Sequence, residues 1–167
     1  LHQRMPLGAV FKIALVYDEP FWRADGLSGQ SFAPGSAANL TIDSCTDAGG
    51  PGILTAITEG PTARRIGRLT AAERREAVLD GVAERFGAKA KSPVEYLEQD
   101  WAAERYSGGG MISHTPPGVL TEFGPALREP CGRIHWAGTE TSAAMYGFID
   151  GAVRSGERAA QEVLAAR

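Results

Sequence analysis

Beyond about residue 104 the sequence has room for one strand and no more. Residues 133–137, RIHWA, carry the pattern of a buried strand, and a glycine break and a helix rich in small residues follow. One strand cannot satisfy its own backbone N–H and C=O groups. This part of the chain is therefore too small to be a domain alone. Its missing strand neighbours are expected in another chain or in sequence outside these 167 residues.

Upstream the pattern is different. Residues 10–22, VFKIALVYDEPFW, alternate as a strand with Phe11, Ile13, Leu15 and Tyr17 on one face. SGQSFA, ANLTIDSCT and GILTAITEG follow at short spacing with turn signals between them. Together they predict an antiparallel meander of about four strands. The period then changes. Residues 61–67 read as a short helix. Thr70, with Glu73 three residues on, has capping-box spacing for a longer one, with Ala77, Val78, Val82 and Phe86 on one face and Gly87 closing it. Residues 93–101 predict a further strand with Val94, Tyr96 and Leu97 inward. The last helix, 150–166, is expected to bury Ala152, Val153, Gly156, Ala160, Val163 and Leu164. The expected fold class is α+β with an α/β remainder: a mixed antiparallel sheet with a covering helix over 1–104, then one strand and a C-terminal helix over 105–167.

At 43% hydrophobic residues the chain can bury a real core. Its net charge of −3 is well mixed, and no basic stripe points to nucleic acid. The longest apolar run is too short to span a bilayer. Cys45 and Cys131 lie far apart and read as separate free thiols of a cytosolic protein. No secretory signal is visible, although residue 1 is Leu rather than Met. His2, His114 and His135 lack metal-ligand spacing, and Ser107, Ser113 and His114 make no nucleophile elbow. Lys12 reads as structural. Asp18 with Glu19, and Glu98 with Asp100, read as strand-edge surface charge.

The chemistry gathers after residue 137. Ala137 and Gly138 let backbone approach a ligand closely. Thr139 and Glu140 then offer a hydroxyl and a carboxylate at the end of the expected strand, where open α/β sheets place ligands. A helix begins around 147–151, and its free N–H groups and positive dipole end favour negative charge. A cofactor that gains negative charge on reduction suits that end. On spacing alone, a glycine-rich strand, loop and helix inside an ordinary α/β protein is the better reading.

HWAGTETSAAMYGFIDGAVRSGERAAQEVL resembles the C-terminal flavin-contacting segment of the flavin-containing monoamine oxidase family. QRMPLGAVFKIALVYDEPFWR resembles the family's substrate-domain strand, and RLTAAERREAVLDGVAERFG the helix after it. DWAAERYSGGG followed by PPGVLTEFGPALREP resembles the stretch leading back to the flavin. The resemblance covers essentially the whole chain, in order. It implies that residues 1–104 are part of a substrate-binding domain and 105–167 the C-terminal part of an FAD-binding domain. The family's opening βαβ unit with its GxGxxG turn is missing, since SGGG neither follows a clear strand nor opens a helix. A complementary N-terminal polypeptide carrying that unit is the expected partner.

Carried over by resemblance, Gly138, Thr139 and Glu140 lie near the ribityl–pyrophosphate part of FAD. Gly147, Phe148 and Ile149 line the isoalloxazine, with the Ile149 N–H aimed at its pyrimidine edge. Trp101 and Tyr106 pack around the ring, core packing being the plainer alternative for both. Gly110 stands where covalent members of the family have a flavin-bonding cysteine, so the FAD is expected to be non-covalent. Met111 and Phe148 take the two walls of the amine cage, where an aromatic pair is usual. One aromatic face gives a weaker cage and suits a bulkier or more apolar amine. The implied reaction is oxidation of an amine by flavin, hydrolysis of the imine to aldehyde and ammonia, and reduction of oxygen to hydrogen peroxide. No side chain here is expected to be an acid or base catalyst, and the family's lysine near the flavin lies upstream of residue 1. A polyamine or L-amino-acid oxidase is the nearest alternative. A non-catalytic fragment or interaction partner without flavin is another. A homo-oligomer of the assembled enzyme and a cytoplasmic location complete the expectations.

Overall fold

A computed structural model of the chain describes residues 2–46 and 49–166. It divides into two compact units: Ala9–Gly110, and a second that joins the residues before Ala9 to the stretch from Met111 onward.

The first unit is built on β1 (Val10–Tyr17). After it come α1 (Phe21–Ala24), β2 (Ser31–Phe32), β3 (Leu40–Asp43), β4 (Gly52–Glu59), α2 (Gly60–Ile66), α3 (Ala71–Phe86) and β5 (Glu95–Asp100). The strands form one sheet in the order β2-β3-β4-β1-β5, and every pair is antiparallel. The expected meander therefore holds for β2, β3 and β4, while β1 pairs with the far edge of β4 and takes β5 on its other side. Phe11, Ile13, Leu15 and Tyr17 alternate into the core as expected. There they meet Leu54 and Ala56 of β4 and Val78, Val82 and Phe86 of α3.

β1 stops at Tyr17, short of the expected 22. Pro20 has no N–H for a ladder, and the chain turns into α1, which buries Phe21 and Trp22. The Tyr17, Phe21 and Trp22 rings pack edge to face at centroid distances of 5.1–6.0 Å. The Tyr17 hydroxyl donates to Ala90 O at 2.9 Å, and burial raises its pKa.

α3 starts with the capping box that the sequence predicts: Glu73 N–H donates to Thr70 Oγ1 and Thr70 N–H to Glu73 Oε2. In β5 only part of the expectation survives. Strand alternation puts Tyr96 and Glu98 on the same face, so Leu97 points away and is exposed, as is Val94. Glu98 is not surface charge. It takes hydrogen bonds from Arg74 Nε at 2.9 Å and from the Tyr96 hydroxyl at 2.9 Å. Burial raises its carboxyl pKa, but those bonds outweigh it and leave the group below its ordinary value.

The second unit carries α4 (Val119–Phe123) and α5 (Ile149–Ala165). The early residues join it through the Leu7–Ser113 bridge, the bond from His114 N–H to Pro6 O at 2.9 Å, and Arg4 over the Phe123 ring. Residues 133–137 do not form the expected buried strand. Among the described residues their only pairing is a bridge between Cys131 and Ile134, and Arg133, Ile134 and Ala137 are exposed. A ladder needs a neighbour, and none lies beside this segment among the described residues.

α5 also faces the opposite way from expectation. Gly151, Ser155 and Ala159 are buried, while Ala152, Val153, Ala160, Val163 and Leu164 are exposed. The small face is held by polar contacts. Ser155 Oγ accepts Gly138 N–H at 2.9 Å, and Arg158 Nη2 donates to Trp136 O at 2.7 Å and to Thr141 Oγ1 at 3.1 Å. His135 Nδ1 meets Glu162 at 3.0 Å, and His135 and Arg158 together lower the Glu162 pKa.

Candidate functional site

The second unit brings most of the predicted site residues together in one turn. Gly138 adopts a φ of 137° and its carbonyl accepts Thr141 N–H at 2.9 Å, opening a short 3-10 turn over Thr139–Thr141. Arg128 braces the far side, donating to Thr141 O at 2.9 Å and Ser142 O at 3.0 Å. The chain then folds back at Met145 and Gly147, with φ of 55° and 84°, and enters α5 through Phe148. Glu140 Oε1 is turned to Ser113, from which it accepts N–H and hydroxyl at 3.4 and 3.3 Å. Gly147 lies against Ile112, since a Cβ there would stand 3.2 Å from the Ile112 side chain. Residues 111–113, 138–141 and 147–149 are therefore neighbours.

The helix entry is unusual. Its N-cap residue is Phe148, and no side chain caps the first-turn amides. A Ser, Thr, Asp or Asn here would satisfy one of them, and an aromatic ring cannot. Asp150, the one acid in that turn, is bound to Arg154 at 2.7 Å instead. Around these amides the surface is apolar and open: Met111 is 70% exposed, Phe148 63% and Ile149 85%. Backbone donors beside exposed apolar side chains match a flat ring with a polar, electron-rich edge. These residues fit a flavin. Gly138, Thr139, Glu140, Gly147, Phe148, Ile149 and Met111 can line such a group.

Trp101 and Tyr106 belong to the other unit. Tyr106 is exposed beside Arg105. Trp101 lines an open hollow of about 310 Å³ on the outer sheet face with Lys12, Thr55, Leu97 and Gln99. Neither ring is packed in the core. Cys45 and Cys131 are free. No three metal-ligating side chains converge among the described residues.

Gly110 packs tightly. A Cβ there would stand 2.8 Å from Val10 Cγ1 and 3.7 Å from Trp101 Cβ. A Gly110→Cys substitution is therefore expected to destabilise the protein by about 1–3 kcal/mol through overpacking. The loss should shrink in a Val10→Ala background, as a double-mutant cycle of urea unfolding would show. Strict additivity of the two substitutions would contradict the contact.

Sequence reasoning missed the residues that hold this turn. Ser155, Arg128, Arg158 and Ser113 carry no local signal for these roles. Their partners are 13 to 27 residues away.

The family model for flavin containing amine oxidoreductases matches residues 1–164. The chain is 43% identical over 164 residues to an L-amino acid dehydrogenase of Synechocystis sp., covering 98% of this chain and 35% of that one. It is 40% identical over 164 residues to amine oxidase [flavin-containing] B of Sus scrofa, covering 96% of this chain and 32% of that one. The solved structure of wild-type putrescine oxidase bound to putrescine superposes with a TM-score of 0.90 at 36% identity, covering 98% of this chain and 36% of that one. The chain thus spans about a third of the length of the relatives it matches. In putrescine oxidase the matched segment is part of one longer chain, which gives no support to a separate N-terminal polypeptide as partner. Matched along nearly its whole length, the chain belongs to the flavin-containing amine oxidoreductase family.

Proposed function

We propose that this chain supplies the flavin-facing and amine-facing surfaces of an FAD-dependent amine oxidase. The observation that carries the reading is the entry to α5, where an aromatic N-cap leaves backbone amides uncapped beside exposed apolar side chains. When bound, the flavin supplies the two-electron chemistry that turns an amine into an imine and oxygen into hydrogen peroxide. The imine hydrolyses to an aldehyde and ammonia. The residues of this chain position and shield. Amides at the start of α5 hold the polar edge of the ring, with Gly138, Thr139 and Glu140 nearer the ribityl–pyrophosphate part. Phe148 and Met111 orient the neutral amine. In this reading the Ala9–Gly110 unit is part of the substrate side. With Gly110 in place of a thiol, the flavin is held without a covalent bond. The identity to an L-amino acid dehydrogenase supports a second reading, in which the amine is that of an L-amino acid.

The test uses the protein as its own cells make it. Its visible spectrum is recorded, the protein is precipitated with acid, and peroxide release is measured with monoamines, diamines and L-amino acids. Flavin in the acid supernatant and peroxide with one of these classes are expected. Flavin retained in the pellet would contradict non-covalent binding. A protein that carries flavin but oxidises none of these amines would contradict the proposed reaction.

A further inference from the structure

We propose that Thr139 is a positioning residue: its hydroxyl staples the 145–148 loop and so fixes where the Phe148 ring and the first amides of α5 stand. This rests on the flavin reading above. Thr139 Oγ1 accepts Gly147 N–H at 2.7 Å and donates toward Phe148 O at 3.1 Å, with Met145 O at 3.5 Å. A hydroxyl has one proton to give, and here it is given to backbone. That proton is thereby committed to the backbone, and through it Thr139 sets the shape of the loop. The two bonds grip the N–H of Gly147 and the C=O of Phe148, so they fix the backbone torsions between them.

Two features make the staple matter. Phe148 is 63% exposed and buries too little surface to set its own direction by packing. Met145 holds a φ of 55°, a left-handed conformation that a non-glycine residue keeps only when its surroundings hold it. Without the hydroxyl, nothing in Thr139's place ties Gly147 and Phe148 to the 3-10 turn.

The test compares Thr139→Val, which keeps the shape and loses the bonds, with Thr139→Ser, which keeps the hydroxyl. In the holoenzyme Thr139→Val should weaken flavin affinity by about tenfold and shift the flavin visible band, since one ordered turn is lost. Amide exchange at Gly147 should quicken by about 10- to 100-fold in flavin-free protein, because the N–H has lost its acceptor. Thr139→Ser should restore all three to within about threefold of wild type. A merely structural threonine would lower the melting temperature and leave the visible band unmoved.

Wild-type exchange and flavin affinity in Thr139→Val would overturn the proposal. So would equal loss in the Val and Ser variants, which would assign the effect to the methyl group. A wild-type protein that binds no flavin overturns the functional reading and the positioning role with it. A flavin-bearing wild type with an unmoved Thr139→Val overturns the positioning role alone.

Discussion

Gly151→Ala should strip the protein of most of its flavin and destabilise the second unit by about 2–4 kcal/mol, through backbone overpacking. Helix propensity predicts the opposite sign, because Ala is better than Gly inside a helix by about 1 kcal/mol. Packing decides the matter. A Cβ at 151 would stand 2.2 Å from Met145 O, 2.9 Å from its carbonyl carbon and 3.0 Å from Thr139 Oγ1. The nearest of these is backbone, which cannot swing aside as a flexible side chain can. That carbonyl also accepts Phe148 N–H at 3.1 Å, so moving it moves the N-cap. Gly156 is the control. Nothing lies within 4 Å of a Cβ there, so Gly156→Ala should gain up to about 1 kcal/mol and keep its flavin. The measurement is flavin-to-protein ratio with thermal unfolding for both variants. A Gly151→Ala protein with full flavin and a raised melting temperature would mean that the turn packs against α5 far more loosely than it does here.

The two units were not equally legible in the sequence. In the first, local rules and tertiary packing agree. The alternation of Phe11, Ile13, Leu15 and Tyr17 and the Thr70–Glu73 box each point to what forms. The misreadings there have local causes. Leu97 was assigned inward on its hydrophobicity, but it follows Tyr96 directly and must point the other way. Glu98 looked like surface charge because its partner Arg74 sits on a different element.

In the second unit the patterns for 133–137 and for the apolar stripe of α5 describe contacts that need neighbours, and none is present among the described residues. What remains is a polar framework of Ser155, Arg158, Arg128 and Thr139 bonding to backbone. Side-chain bonds to distant backbone leave no periodic trace, so sequence reading could find the turn by its glycines but not what holds it.

Asp43→Ala is expected to cost the first unit about 2–4 kcal/mol, through orphaned buried donors. The Asp43 carboxylate accepts from Trp22 Nε1 at 2.9 Å, Cys45 N–H at 2.9 Å, and Arg23 Nε and Nη2 at 2.8 and 3.0 Å. These are not equal in weight. The Arg23 side chain is 50% exposed, so that pair is screened by water and contributes little. Trp22 is fully buried, and without the carboxylate its N–H loses its acceptor in the core. Alanine keeps the Cβ that packs against Gly29, so the loss reports the oxygens and not the contact.

The acid limb tests the charge separately. The hydrogen bond from Arg23 is the main influence holding the Asp43 carboxyl below the usual carboxylate range. A depressed folded pKa contributes stability that is present above the unfolded value of about 3.9 and is lost as pH falls through the folded one. The gap between wild type and Asp43→Ala should therefore be full at pH 7 and narrow modestly as pH drops below about 4, because water screens the Arg23 pair that depresses the pKa. Urea unfolding followed by tryptophan fluorescence at both pH values measures it. A gap that stays constant would show that the oxygens hold Trp22 and Cys45 equally well whether or not they are charged. A gap absent at pH 7 would show that water replaces the carboxylate, and that Trp22 is less enclosed than its position implies.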